Sequence, residues 1–328
     1  MIKTKNRILI VVSSLLIISI CLLADYITHS QLSSLRPKTM DIKVYSPERG
    51  IVATMTSLGY PPYAISDKKL YSRSVTKPEL PENIIDLGSK VPPNNEAMSQ
   101  IKLDFILDTD FYTYNRDLYS PDIPLRTIDF GQNVDNIGKL PKWSKYVEAL
   151  RTIGRNINKE EKANIYIETS YNRIIEAGKN VQKYLGKNRK IIVINLRDTR
   201  EIEVVTLNNP IALTAKMMGL ELISVGKAKQ YGYASVPIHT LYELPDNVCL
   251  IIKEPIVEMT KRDIVNSIIW QQSPFFRPEA CIYKIEPVWT RGGMQSMLTF
   301  AENLEDAVTI GNINELSYEY VTQVEGKK

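Results

Sequence analysis

The sequence NKEEKANIYIETSYNRIIEAGKNVQKYLG, residues 158–186, lies near the middle of the chain and predicts its longest helix. Asn158 is a suitable N-cap before the charged turn Lys159-Glu160-Glu161, and Gly186 supplies a C-terminal stop. Between them apolar side chains recur at helical spacing, at Ala163, Ile167, Tyr171, Ile174, Ile175 and Val181. A helix of about 27 residues is ~40 Å long, enough to connect two lobes instead of packing inside one.

Short apolar stretches alternate with helical patterns on both sides of this helix, and Pro, Gly, Asn or Asp residues bound them. The predicted strands are Ile42–Tyr45, Tyr63–Ser66, Ile84–Leu87, Phe105–Leu107 and Thr127–Phe130 in the first half, and Ile191–Leu196, Glu203–Thr206, Leu222–Val225, Val248–Ile252 and Ile282–Ile285 in the second. This alternation predicts α/β layers with largely parallel sheets. We expect an N-terminal lobe over 41–157, an interlobe helix over 158–186 and a C-terminal lobe over 187–328.

The composition excludes several classes of function. The formal net charge of +4 over 328 residues is too small to indicate nucleic-acid binding. His29 and His239 are the only histidines, and no CxxC or CxxH spacing occurs, so metal sites built on imidazole or thiolate clusters are not expected. The phosphate-binding GxxxxGK[ST] loop, the dinucleotide-binding GxGxxG and the GxSxG nucleophile turn are all absent. Asp108 and Asp110 could form a catalytic acid pair, but a solvated loop is the favoured interpretation.

Residues 1–30 have the pattern of a secretory signal peptide. Lys3, Lys5 and Arg7 precede an apolar run from Ile8 to Ala24, and a polar stretch follows. An uncleaved membrane anchor and lipidation at Cys21 stay open as alternatives. Export would place the chain in an oxidising compartment, where Cys249 and Cys281 could pair. Both lie in apolar, strand-like stretches, and buried free thiols are the favoured interpretation.

A resemblance to a known family rests on the order and spacing of several segments between about residue 41 and residue 312. They are Ser57-Leu58-Gly59-Tyr60-Pro61-Pro62-Tyr63, Val75–Pro81, Asp86-Leu87-Gly88, Pro93-Asn94-Asn95-Glu96, Ile101–Leu107, Trp270–Phe275 and Glu286-Pro287-Val288-Trp289. In these the chain resembles the helical-backbone class of periplasmic binding proteins for siderophores, haem and cobalamin. Within that class it is most similar to the ferric-hydroxamate-binding proteins of enteric bacteria. The resemblance implies two Rossmann-like lobes with a ligand cleft between them.

The resemblance also implies a set of cleft residues. In the family the siderophore supplies every iron ligand, so no cofactor or protein metal ligand is expected. The tyrosine that binds hydroxamate oxygens corresponds to Tyr112, and the family's arginine is replaced by Lys90, which lacks the bidentate fork. Family tryptophans on the C-terminal lobe correspond to Tyr231 and Trp289.

Three further cleft positions depart from the family. Ser74 and Asp108 stand where it has tryptophans, and Arg291 replaces an aromatic residue. The cleft should therefore be more polar, and we expect a smaller or more anionic ligand, such as a mixed citrate–hydroxamate or a carboxylate siderophore.

The resemblance further implies a periplasmic, monomeric, non-enzymatic protein that delivers a ferric siderophore to an inner-membrane ABC permease with its ATPase. Docking would use an acidic residue on each lobe. Asp117 falls at the N-terminal position, and the C-terminal position holds His239, with Glu243 one helical turn later. Haem or cobalamin binding, a membrane-anchored enzyme and an adhesion module remain alternatives.

Overall fold

The N-terminal lobe is built on a five-stranded sheet in which every pairing is parallel. The computed structural model describes residues 41–110, 116–132, 134–186, 188–311 and 316. The strands are β1 (Val44–Ser46), β2 (Ala64–Ile65), β3 (Ile85–Asp86), β4 (Phe105–Thr109) and β5 (Leu125–Ile128). Their order, β3-β2-β1-β4-β5, reverses direction between β1 and β4, as in a Rossmann sheet.

The helices of this lobe cover both faces of the sheet, whose buried strands read as apolar runs. They are α1 (Arg49–Ser57), α2 (Lys68–Ser74), α3 (Asn95–Ser99) and α4 (Trp143–Asn156), with a 3₁₀ turn at Val134–Asn136. Side chains of the preceding residues cap the first three: Glu48, Asp67 and Asn94 each accept a hydrogen bond from a backbone N–H of the first turn.

The long helix predicted in the middle of the chain is present as α5, Glu160–Leu185. It begins later than the sequence indicated. Lys159, not Asn158, is the N-cap, and Asn158 has a left-handed backbone with φ of 55°. Its buried face includes Ala163, Ile174 and Val181, whereas Tyr171 is exposed.

The C-terminal lobe contains a six-stranded sheet of mixed direction. Its strands are β6 (Lys190–Leu196), β7 (Glu201–Val205), β8 (Glu221–Leu222), β9 (Tyr233–Pro237), β10 (Val248–Lys253) and β11 (Ile282–Ile285). The order is β11-β10-β6-β7-β9, with β8 paired to β6. The antiparallel pairings of β7 with β6 and β9 depart from the predicted parallel pattern. The sequence did not predict β9, which ends at Pro237.

Four helices complete the lobe: α6 (Pro210–Met217), α7 (Glu258–Val265), α8 (Ile268–Gln271) and α9 (Met294–Ile310), with a 3₁₀ segment at Ile238–Glu243. Cys249 in β10 and Cys281 just before β11 form a disulfide, so the expectation of free thiols was wrong. The register explains the pairing, because Leu250 lies opposite Ile282 and the two cysteines directly precede these neighbours.

Contacts between the lobes are close, and residues 43–328 form one compact unit. Helix α9 packs against α5 and against α1 of the N-terminal lobe. A Cβ atom on Gly50 would lie 2.5 Å from the Cα of Gly292, so the backbones of α1 and the loop before α9 meet directly. Thr76 donates to the carbonyl of Pro287, and Gln230 donates to that of Gln132. Such packing implies small lobe motions. No helix in the described part of the chain is long and apolar enough to cross a membrane.

Candidate functional site

The site begins where the N-terminal sheet reverses its strand order. Loops at the carboxyl ends of β1 and β4 diverge there, and open α/β sheets bind ligands in the resulting crevice. Glu48 follows β1, and Asp108 lies near the carboxyl end of β4. The topology therefore brings two carboxylates together that are 60 positions apart in the sequence.

Lys90 bridges these two carboxylates. Its Nζ lies 3.1 Å from Oε2 of Glu48 and 3.3 Å from Oδ1 of Asp108. Tyr119 donates its hydroxyl to Oδ2 of Asp108 at 3.1 Å, and the backbone N–H of Thr109 donates to Oδ1 at 2.8 Å. Burial raises the pKa of the Asp108 carboxyl, and the charge of Lys90 opposes this rise. The cluster is internally compensated, with Lys90 19% and Asp108 1% exposed.

Trp289 of the C-terminal lobe joins this cluster from the other side. Its indole Nε1 donates to Oε1 of Glu48 at 2.7 Å. The guanidinium of Arg49 lies 4.3 Å from the centre of the indole, within cation–π distance. Trp289 also packs on the apolar cluster that contains Tyr71 and Ile65 of the N-terminal lobe. One aromatic side chain thus links both lobes at the floor of the cleft.

Arg291 is held against aromatic rings beside Trp289. Its guanidinium lies 4.1 Å from the ring centre of Tyr231 and 5.5 Å from that of Trp289. The neighbouring Thr290 is buried and shares a hydrogen bond with the hydroxyl of Tyr233. Stacking fixes the plane of the Arg291 guanidinium while leaving its N–H edge for other partners.

A pocket of about 310 Å³ opens next to these residues. It is lined mainly by the C-terminal lobe, with Ser74 contributed by the N-terminal lobe; the lining residues are Ser74, Asn195, Leu196, Arg197, Glu203, Tyr233, Lys253, Pro255, Val257, Val288, Trp289, Thr290 and Arg291. Asn195 and Lys253 lie at the carboxyl ends of β6 and β10, so this pocket follows the same crevice rule as the N-terminal half.

Charge in the pocket is unevenly compensated. Glu203 accepts hydrogen bonds from Arg197 and Asn195. Burial would raise the pKa of the Glu203 carboxyl, but these bonds outweigh it and hold the pKa below its ordinary value. Burial lowers the pKa of Lys253 to about 8, and the nearby Arg197 and Arg291 add to this effect.

The structure brings five of the predicted residues into one cleft: Ser74, Lys90, Tyr231, Trp289 and Arg291. Asp108 lies beneath its surface. Its burial in β4 corrects the expectation of a solvated loop, and the ion pair with Lys90 explains how a carboxylate can be buried there. Tyr112 lies outside the described residues.

The predicted docking residues lie apart from the cleft lining. Asp117 and Glu243 are both exposed on the surface of their lobes, and His239 is exposed in the same 3₁₀ segment as Glu243.

Sequence reasoning missed Glu48, Arg49, Arg197, Glu203 and Lys253. Arg197 and Lys253 directly follow predicted strands, which is a usable signal in an α/β fold, whereas Glu48 and Arg49 lie three and four residues after one and Glu203 begins another. Charged residues are common at such positions, however, and only the fold identifies those that converge.

Within the described ranges, no three His, Cys, Asp or Glu side chains are arranged to hold a metal ion. The groups that converge are hydrogen-bond donors, cations and aromatic faces. They suit the recognition of a bulky, oxygen-rich molecule.

The fold defines the class: two α/β lobes joined by one long helix, with a cleft between them. One curated relative is the iron(3+)-hydroxamate-binding protein FhuD of Escherichia coli (strain K12), 23% identical over 259 residues that span 78% of this chain and 83% of the relative. The predicted resemblance is thereby confirmed.

Solved structures that share the fold include the following two. One is the siderophore-binding protein FhuD from Vibrio cholerae, bound to Fe³⁺-Desferal, with a TM-score of 0.71 and 19% identity, covering 82% of this chain and 98% of that one. The other is a FhuD fold-family periplasmic binding protein component of a Fep/Fec-like ferrichrome ABC transporter from Bacillus subtilis. Its TM-score is 0.58 at 14% identity, covering 81% of this chain and 96% of that one. The predicted fold class is confirmed, and no protein-family model matches the chain.

Proposed function

We propose that this protein is the extracytoplasmic substrate-binding component of an ABC importer and that it captures a ferric siderophore of hydroxamate or mixed citrate–hydroxamate type. The observation that carries the proposal is the interlobe cleft, where the Trp289 indole and the Arg291 guanidinium meet the Glu48–Lys90–Asp108 cluster. The similarity to FhuD of Escherichia coli supports the ligand class.

The donors of the cleft match the surface of a ferric siderophore. Such a complex wraps its iron in its own oxygens, which need hydrogen-bond donors but no further metal ligand. Trp289 and Tyr231 offer flat apolar area for the organic shell. Tyr112, the hydroxamate-binding residue expected from the family, would complete the N-terminal side.

The charged groups of the cleft are arranged for binding and delivery of a ligand and not for catalysis. The carboxylates at its centre, Glu48 and Asp108, are both ion-paired with Lys90, so neither is poised as a free acid or base. In the periplasm, a monomer would present Asp117 and Glu243 to an inner-membrane permease and its ATPase. Both residues are exposed, as docking requires.

Tryptophan fluorescence tests this function. Residues 31–328 would be titrated with ferrichrome, ferrioxamine, aerobactin and a carboxylate siderophore in their ferric forms, and with haem and cobalamin. Saturable quenching by a ferric siderophore is the expected result. Quenching by haem or cobalamin alone would overturn the siderophore assignment, and silence across the panel would overturn the ligand class.

Two matched variants assign the signal to the cleft. Trp289→Phe should lose most of the quenching, because Trp289 forms the cleft floor. Trp143→Phe should keep it, because Trp143 packs against Tyr171 on helices outside the cleft. Equal loss in both variants would contradict the proposed location.

A further inference from the structure

The charge of the C-terminal pocket exceeds what its own acid can neutralise. Arg197, Lys253 and Arg291 line the pocket, and among its described lining residues Glu203 is the one carboxylate. Arg197 pairs with Glu203. In the described parts of the chain Lys253 and Arg291 form no ion pair within 4.0 Å, so two positive charges remain uncompensated.

These two cations are positioned by contacts that do not neutralise them. Aromatic faces hold Arg291, at 4.1 Å from Tyr231. The Nζ of Lys253 lies 3.4 Å from the backbone carbonyl oxygen of Glu254, and that residue's carboxylate is already paired with Lys261 and Lys284. A partly buried cation without a counter-ion is unfavourable, and an incoming anion relieves that cost.

The N-terminal half of the cleft has the opposite character. Lys90 is paired with two carboxylates, and Trp289 occupies a further oxygen of Glu48. This half therefore offers little attraction for an anion, whereas the C-terminal half offers two cations that have no counter-ion among the described residues. This difference in charge between the two halves would orient a ligand that is anionic at one end, with that end toward the C-terminal half.

We infer that Arg197, Lys253 and Arg291 form a carboxylate subsite, which holds the free carboxylate arm of a citrate-derived ferric siderophore while its iron centre faces Trp289. This inference rests on the proposed function and narrows it to ligands whose ferric complex carries negative charge. A pocket of about 310 Å³ is at the lower end of small-molecule sites, so it takes one arm of the ligand and not the whole complex.

Isothermal titration calorimetry with two ferric siderophores tests the subsite. Ferric aerobactin is a mixed citrate–hydroxamate complex with free carboxylates on its two lysine-derived arms, whereas ferrichrome is a neutral trihydroxamate complex. We expect wild-type protein to bind ferric aerobactin at least about 10-fold more tightly. Lys253→Met and Arg291→Met should each weaken ferric aerobactin binding by about 10- to 100-fold, as for the loss of a charge-assisted hydrogen bond. Their affinity for ferrichrome should change less than about 3-fold.

Lys216→Met is the matched control, because Lys216 is an exposed cation of the same lobe outside the pocket. It should leave both affinities unchanged. Tighter binding of ferrichrome, or equal losses for both ligands in the pocket variants, would overturn the carboxylate subsite and leave the proposed function standing. If neither ferric complex binds, the proposed function fails and the subsite with it. If iron-free citrate binds and neither ferric complex does, the proposed function and the subsite also fail.

Discussion

At the scale of single residues, the cleft depends on how its charges are paired. Lys90 lies between two buried carboxylates, so its charge is paired within the protein and contributes to the stability of the fold more than to ligand binding. Lys253 and Arg291 have the reverse arrangement, with little internal compensation. The replacement of the family arginine by Lys90 could be read from the sequence, but its partner Glu48 could not, because 42 positions separate them and only β-sheet topology joins them.

Asp108→Asn should lower the free energy of unfolding by about 1–3 kcal/mol, because the buried Asp108 carboxylate accepts hydrogen bonds from Lys90, Thr109 and Tyr119, and the asparagine amide replaces one of these acceptor oxygens with a donor. Urea unfolding at pH 7 measures the change. Asp122→Asn, an exposed substitution of the same type, should change stability by less than about 0.5 kcal/mol. Equal stability of the two variants would contradict the role assigned to the cluster.

Lys253→Met should make the unliganded protein more stable while weakening its binding of an anionic ligand. Burial lowers the pKa of Lys253 from its ordinary 10.5 to about 8, so charging it at pH 7 costs the folded state about 1–3 kcal/mol. In the wild type, this contribution makes stability rise between pH 8 and pH 10.5, because only the unfolded chain still binds the proton. Thermal unfolding across this range should show a smaller rise in the variant. A lower Tm at pH 7 would contradict the assignment.

At the scale of elements, short parallel strands place the site and one long helix joins the lobes. The apolar runs and their Gly, Pro and Asn boundaries predicted ten of the strands, with shifts of a few residues at the ends. Strand β9 escaped prediction because it runs into Pro237 and pairs only as the last strand beside β7. Strand β9 is antiparallel to β7, and β7 itself turns back directly after β6 and is antiparallel to it.

Gly178→Ala in α5 should destabilise the protein, although alanine favours helices by about 1 kcal/mol over glycine. A Cβ atom there would lie 2.4 Å from the Cα of Met218, so α5 and the end of α6 would have to separate. We expect a loss of about 1–3 kcal/mol from overpacking, measured by urea unfolding. Lys179→Ala, at the exposed neighbouring position, should be near neutral. A stabilised Gly178→Ala variant would contradict this close approach.

At the scale of the whole molecule, the two lobes contribute different chemistry to one cleft. In the N-terminal half Lys90 is paired with two carboxylates, and the C-terminal half keeps excess positive charge. The sequence predicted a more polar cleft from Ser74, Asp108 and Arg291. It could not locate the positive charge in one pocket, because Arg197 follows β6, Lys253 ends β10, and both meet Arg291 only after folding.

The affinity for ferric aerobactin should fall as the pH rises from 7 to 9. Lys253 has a pKa of about 8 in the free protein, and a bound carboxylate requires its charged form. Among the charged groups around it, Glu203 and Glu254 favour the charged form, and Arg197 and Arg291 disfavour it. Calorimetry at several pH values should show a decline that is absent in Lys253→Met. A flat profile in the wild type would contradict the role of Lys253.

The central claim is that the cleft binds iron through a siderophore and not through protein side chains. Anomalous diffraction at the iron absorption edge, from crystals of the ferric aerobactin complex, tests it most directly. We expect one iron peak in the cleft, facing Trp289, with every iron ligand supplied by the siderophore and a carboxylate near Lys253 and Arg291. An iron atom bound directly by side chains, or a peak outside the cleft, would contradict it.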